Sequence, residues 1–295
     1  MMSLSTRVAA VSDPTLASIL GATGLAGFPV LGEAGVDVFP AFAPISDYST
    51  LSQEETISGG GVTDCAAFWI NPDGLQLFTG FGTGLTEWSL SPAWDLSSAT
   101  FVQTVVLTSM GFQGMQFSPD GTVFFGCTQS TGFQVYTLGT AWDITTLGSA
   151  TFFNSQDNDG LQGITVAADG SLTVTGNGDS TLWSESTMSA AFDPSTLAQG
   201  NQQAQAEASS VNGLYLHGQG NKLYAMNRGT DILREYDITD NDITTRVLAD
   251  STADLGTPAG FTVVAQFYMR PDGSELIINN DENGAPGLEF ASYLP

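Results

Sequence analysis

The chain has 295 residues, 42% hydrophobic and only 13% charged, and its 31 acidic against 6 basic residues give a formal net charge of −25. That length buries a core unaided and accommodates one large all-β unit plus an appendage. A nearly lysine-free acidic surface is repelled by nucleic-acid backbones and anionic head groups, which excludes both as direct partners and leaves neutral sugars, basic protein sockets or divalent cations.

In chain order, residues 1–35 are small, apolar and rich in Gly and Ala, with Ser12-Asp13-Pro14 as a helix start. They read either as a tail or extra packing layer, or as an anchor inserted into a partner protein. Asp13 and Pro14 interrupt the apolar run and Arg7 is the only positive charge in it, so no export signal is expected. No stretch reaches the ~20 apolar residues of a membrane span, and no membrane insertion is expected. Between 36 and 60, either Val36–Ile45 or Tyr48–Ile57 offers a strand.

From residue 62 onward the sequence repeats. The turn glycines Gly74 and Gly121 are 47 residues apart, and Trp94 and Trp142 are 48 apart. A third copy turns at Gly170 and carries Phe192 in place of the tryptophan. The fourth, with Asn221 near its turn, is degenerate, and the fifth turns at Pro271-Asp272-Gly273. Each copy runs strand, Pro-Asp-Gly turn, strand, Gly-rich loop, and a third strand carrying an aromatic; an Ala-Trp-Asp loop then leads to a fourth strand. Proline presets φ in such a turn and glycine tolerates positive φ. Four strands in ~47 residues with no helical period is the size of a propeller blade.

In the first strands, Phe68 and Ile70 match Met115 and Phe117, Ile164 and Val166, Leu214 and Leu216, and Phe267 and Met269, all on one face at period 2. The other face holds Trp69, Gln116, Thr165, Tyr215 and Tyr268. Sheets packed on both sides show this two-sided pattern. The expected fold is therefore an all-β propeller of five four-stranded blades, at about 62–108, 111–154, 160–205, 211–250 and 261–295. The fifth copy lacks a fourth strand, so a strand from 36–60 is expected to close the ring and remove the exposed edges; a sixth blade within residues 1–60 is the alternative. The domains are then 1–35, anchor or tail, and 36–295, propeller.

The chemistry-bearing residues are few. His217, the single histidine, falls beside the fourth turn and reads as a surface turn residue. Cys65 and Cys127 sit in apolar strand-like runs and read as buried thiols, with a disulfide as the alternative. Asp157-Asn158-Asp159-Gly160 and Asn279-Asn280-Asp281-Glu282-Asn283-Gly284 have the oxygen-rich spacing that calcium favours, without the downstream glutamate of a complete loop motif, and also read as Asx turns. Calcium is the one cofactor the sequence suggests, with Asp64, Asp157, Asp159 and Asp281 as candidate ligands. Gln113, Gln162 and Asn212 align at one end of their first strands, where a ring of amides would either solvate the axis or bond sugar hydroxyls, with Trp69 or Tyr215 as stacking faces.

The stretches Ile70–Gly74 with Trp88–Ala99, and Phe117–Gly121 with Val135–Ile144, resemble a repeat of bacteriophage virion proteins of the tail-fibre and adhesin-like kind. The fourth copy matches only through Arg234–Ile238, and the resemblance covers about 62–290. It implies a non-enzymatic virion structural protein, a receptor-binding module for a host surface glycan, exposed on the particle and attached to other virion proteins through residues 1–60, with a homo-oligomer as a further expectation. A head-decoration or architectural role is one alternative. A calcium-dependent, lactonase-like hydrolase with Asp64, Asp157, Asn212 and Asp281 as ligands is the other.

Overall fold

The computed structural model describes residues 55–57, 65–129, 132–154, 160–178, 182–204, 211–217, 221–227, 230–254, 264–272, 274–280 and 288–293. The chain divides at Phe39/Pro40, and everything described belongs to the second unit.

Among the described residues the regular structure is all strand, apart from single 3₁₀ turns. Sheet 1 comprises β2 (Ala67–Ile70), β3 (Gln76–Phe81), β4 (Gly84–Ser89) and β5 (Thr100–Val106). Sheet 2 comprises β6 (Phe112–Phe117), β7 (Val123–Thr128), β8 (Gly132–Thr137) and β9 (Thr151–Phe153). Sheet 3 is β10 (Leu161–Val166), β11 (Leu172–Asn177), β12 (Leu182–Met188) and β13 (Leu197–Ala204). Sheet 4 is β14 (Val211–Leu216), β15 (Lys222–Asn227), β16 (Ile232–Thr239) and β17 (Asp242–Asp254). Sheet 5 joins β18 (Val264–Met269), β19 (Leu276–Asn280) and β20 (Leu288–Tyr293) to β1 (Glu55–Ile57), which pairs with β20 antiparallel, Thr56 opposite Glu289. The closing strand thus comes from the end of the Tyr48–Ile57 segment.

Contacts between first strands run β2 to β6, β6 to β10, β10 to β14, β14 to β18, and from β18 back to β2. This is the five-bladed propeller arrangement that the repeat implies. The apolar residues shared by adjacent sheets hold it. Phe68, Ile70, Leu77 and Trp88 of sheet 1 pack with Tyr268, Ile277 and Phe290 of sheet 5. Ala67, Phe78 and Leu85 pack with Phe112, Met115, Phe117 and Phe124 of sheet 2. Sheets 2 and 3 share a third cluster around Phe125, Ile164 and Val166, and sheets 3 and 4 a fourth around Val174, Trp183, Leu214 and Tyr236. No sheet could bury both faces alone, so the period-2 pattern and the ring are one fact.

The Pro-Asp-Gly turn and the Ala-Trp-Asp loop prove to be parts of one device. Gly121 has φ +71°, and a Cβ there would lie 2.2 Å from the Trp142 indole; Gly74, at φ +73°, meets Trp94 at 2.3 Å, and Gly170 meets Phe192 at 2.5 Å. The three aromatic residues themselves have left-handed backbones, at φ 68°, 65° and 55° for Trp94, Trp142 and Phe192. Each ring lies over its own turn and also reaches the preceding sheet: Trp142 is 6.2 Å from Phe78, and Trp94 is 6.2 Å from Tyr268. The aspartate that follows caps a 3₁₀ turn, as when Asp143 Oδ1 accepts from Thr145 N at 3.0 Å and Asp193 Oδ1 from Ser195 N at 2.9 Å. A hydroxyl then closes the loop, Thr146 Oγ1 donating to Asp143 O at 2.7 Å while accepting from Thr140 N at 3.0 Å. The fourth copy corrects the sequence reading. Asp242 accepts from Thr244 N at 2.8 Å and Thr245 Oγ1 donates to Asp242 O at 2.6 Å, so the loop is intact although its tryptophan is gone.

Candidate functional site

The amide positions do gather, but around a residue that sequence reasoning passed over. Four first strands carry an irregularity at the same height, between Phe112 and Gly114, Leu161 and Gly163, Val211 and Gly213, and Val264 and Gln266. Gln113, Gln162 and Asn212 are the extra residues in three of them, and their main-chain carbonyls converge. The Gln266 side chain fills the middle, its Nε2 lying 2.9 Å from Gln113 O, 3.2 Å from Asn212 O and 3.4 Å from Gln162 O. Three acceptors call for a donor, which fixes the amide's orientation. Sheets 2, 3 and 4 place Gly114, Gly163 and Gly213 where sheet 5 has Gln266. A Cβ on Gly114 would come within 2.8 Å of that Nε2. Asn279, part of a stretch with calcium-like spacing, completes the hub: its Oδ1 accepts from Gln266 N at 2.7 Å and its Nδ2 donates to Cys65 O at 2.5 Å. One glutamine and one asparagine of sheet 5 therefore bond all four other sheets.

This arrangement revises the expected ligand ring. Gln162 and Asn212 are 5% and 4% exposed, and Gln113 is half-buried. Trp69 is half-buried and edge-on to Tyr268 at 4.9 Å, so it serves packing between sheets 5 and 1. Tyr215 is half-buried beside Tyr224, 6.4 Å away, and burial, with Asp272 adding repulsion, pushes its phenol up. The other members of that column tie neighbouring sheets: Gln116 exchanges two hydrogen bonds with the Val166 backbone, and Thr165 Oγ1 accepts from Leu216 N at 3.0 Å. His217 corrects the sequence reading. Its N–H donates to Lys222 O at 3.0 Å as the last rung of a ladder, and the side chain is 2% exposed, so it is a core residue whose pKa burial lowers. Cys65 and Cys127 are buried free thiols. Asp64, Asp157, Asp159 and Asp281 lie outside the described residues. Among the described residues no group of three His, Cys, Asp or Glu side chains is placed to hold a metal ion.

A different place gathers polar groups around an open cleft, with Glu87 itself only 7% exposed. Between sheet 1 and the Ala141-Trp142-Asp143 loop of sheet 2 lies a cleft of about 310 Å³, lined by Gln76, Glu87, Gln103, Ala141, Trp142, Asp143 and Thr145. Glu87 stands opposite Phe78 and Gln103 across the sheet. Gln76 Nε2 donates to its Oε1 at 2.9 Å, and Gln103 Nε2 to its Oε2 at 2.6 Å. Gln76 is in turn held by Asn71 Nδ2, which donates to its Oε1 at 3.0 Å. Across the cleft, the Thr145 hydroxyl and N–H, with a smaller contribution from the Gln103 amide, hold the Asp143 carboxyl below its ordinary range. Gln103 thus donates to Glu87 and faces Asp143 of the next sheet across the cleft, with the half-buried Trp142 indole as an aromatic wall beside them. Carboxylates and amides in a fixed array next to an indole can accept hydroxyl or amine hydrogens while a C–H face stacks.

Sequence reasoning missed Glu87, Gln76, Gln103 and Asp143. One signal was available: Glu87, Glu185 and Glu235 occupy the same register, opposite Phe78, Val174 and Tyr224, in strands where a charge is otherwise out of place. Comparison of the sequence with protein-family models and with curated proteins returned no match.

Proposed function

We propose that the protein is a non-enzymatic structural component of a bacteriophage virion, a tail-fibre or receptor-binding module that holds a host surface glycan in the cleft between sheets 1 and 2. The observation that carries this reading is the cleft itself, where the Trp142 indole stands beside Glu87, Gln103 and Asp143, hydrogen-bonding groups fixed by their neighbours. The repeat from about 62 to 290 supports the virion setting. Residues 1–60 are the attachment segment in this reading, and the particle surface is the location.

At the axis, Gln266 presents an amide N–H to the carbonyls of Gln113, Gln162 and Asn212, while Asp64, Asp157 and Asp281 of the calcium-dependent alternative lie outside the described residues. Binding of the intact chain to a glycan array, and to host cells, tests the proposal. Adhesion that is lost in Glu87→Ala supports it. Clean failure to adhere favours a head-decoration or architectural role.

A further inference from the structure

Among the described residues, the glutamate register meets the capping aspartate of the following sheet at two junctions: Glu87 with Asp143 between sheets 1 and 2, and Glu185 with Asp242 between sheets 3 and 4. At the first junction amides serve both carboxylates. Gln76 and Gln103 donate to Glu87 at 2.9 and 2.6 Å, and the Gln103 amide also helps to hold the Asp143 carboxyl down. At the second junction both amides are gone. The rung Asn71 N to Gln76 O recurs as Ala167 N to Leu172 O, so Leu172 stands where Gln76 does. On the outer strand Gly200 lies against Glu185, so close that a Cβ would come within 2.9 Å of the glutamate Cγ.

The groups packed around the half-buried Glu185 supply no substitute. β11 and β13 carry no titratable side chain. On the side of sheet 4 turned toward sheet 3, the Arg246 guanidinium lies over the Trp183 ring, 5.3 Å from its centroid, and donates to Ile243 O and Ala204 O. Tyr236 stands edge-on to Trp183, Arg234 shares its face of β16 at period 2, and Asp240 is exposed at the loop tip. Among the described residues no side chain donates to Glu185. Burial, with repulsion from Asp242 added, pushes its carboxyl up, while the Thr244 hydroxyl and N–H hold Asp242 below the ordinary range. Of the two, Glu185 is the one that takes a proton first.

We propose that a proton from solvent closes the junction of sheets 3 and 4: Glu185, once neutral, donates its carboxyl O–H to Asp242 and stands in for the amide that Gln103 supplies between sheets 1 and 2. Acid therefore strengthens this junction, and neutral pH loosens it. The sign follows from the fold's preference for the neutral glutamate. The stabilisation is complete below the pKa of an unfolded glutamate, about 4.3, and is lost as pH rises through the higher folded value. An O–H···O⁻ bond is also among the stronger hydrogen bonds, which favours a shared proton over two separate carboxylates. This device is independent of the glycan reading and of the cleft between sheets 1 and 2.

The test is thermal melting of the intact chain between about pH 7.5 and about pH 5, beside Glu185→Gln, which supplies a permanent donor, and Asp73→Asn, an equal charge change in an exposed turn of sheet 1. Glu185→Gln is expected to raise the melting temperature at the upper pH by roughly 2 °C or more, and the gain is expected to shrink toward the lower pH as the native glutamate takes its proton. Asp73→Asn is expected to show no such pH-dependent gain. An equal gain in both variants means that relief of bulk acidity is responsible and overturns the inference. A Glu185→Gln chain that melts no higher than the native one at the upper pH overturns it too. NMR titration of the Glu185 carboxyl carbon does not depend on how that variant folds. Its midpoint is expected above that of an ordinary glutamate and is expected to fall in Asp242→Asn, whose amide oxygen still caps Thr244 N. A midpoint that Asp242→Asn leaves unchanged overturns the pairing.

Discussion

A single side chain, Gln266, fills the place where the sequence aligns three amides. Its amide lies among carbonyls from sheets 2, 3 and 4, and the main chain beside it is held by Asn279. Each carbonyl that loses a buried donor costs about 1–3 kcal/mol, part of which a small shift or a water recovers. Gln266→Leu, close in size but without a donor, is therefore expected to lower the unfolding free energy by roughly 2–4 kcal/mol in urea titration. An unchanged midpoint would mean that the carbonyls are satisfied without it. Gln266 was legible only in hindsight, as the one long side chain in a column that otherwise reads Ala67, Gly114, Gly163 and Gly213. His217 was misread for a related reason: it precedes a turn, but it still belongs to the ladder, where Asn71 and Ser118 accept from the turn behind them. Sequence spacing located the turn and left the direction of the side chain undecided.

At the scale of the element, the informative unit is the pairing of turn and loop. The period of the glycines and tryptophans was visible in the sequence, and so were the strands between them. Invisible was the reason both recur together: the glycine is vacant space for the indole as well as a positive-φ residue. Two glycines separate these roles. Gly82 has φ +54° with nothing within 4 Å of its would-be Cβ, whereas Gly121 has φ +71° and an indole at 2.2 Å. Gly82→Ala should cost only the left-handed penalty of about 1–2 kcal/mol. Gly121→Ala adds displacement of Trp142 from Phe117 and Phe78, and is expected to lose roughly 2–4 kcal/mol in the same assay. Equal losses would show that conformation alone selects the glycine. The fourth copy reads as degenerate in sequence; its capped loop shows that the aspartate and two hydroxyls suffice to form the turn, with Asp240 and Asn241 taking left-handed backbones at φ 51° and 58°. Asparagine and aspartate tolerate that region better than other side chains do.

For the whole molecule, the five sheets of the described residues and the borrowed strand were both legible, because a copy with only three strands leaves an edge that must be covered. The cleft was not legible, since its groups come from two copies and meet only when the sheets pack. Sheet 5 depends on β1 for its outer strand. Alternate residues of an antiparallel pair exchange hydrogen bonds, so prolines at both Glu55 and Thr56 must remove a rung. The double substitution is expected to lower the melting temperature and, by baring β20, to promote self-association in size-exclusion chromatography. A monomer with unaltered melting would show that β1 does not fasten the ring. The hub has a further consequence for synthesis on the ribosome. Sheets 1 to 4 precede residue 266 in the chain, so the converging carbonyls of sheets 2, 3 and 4 wait for a donor made later, and the hub stays open until sheet 5 emerges. Closure of the hub is set by the arrival of sheet 5, which makes the interval before it one in which the four earlier sheets are exposed to proteases and to wrong partners.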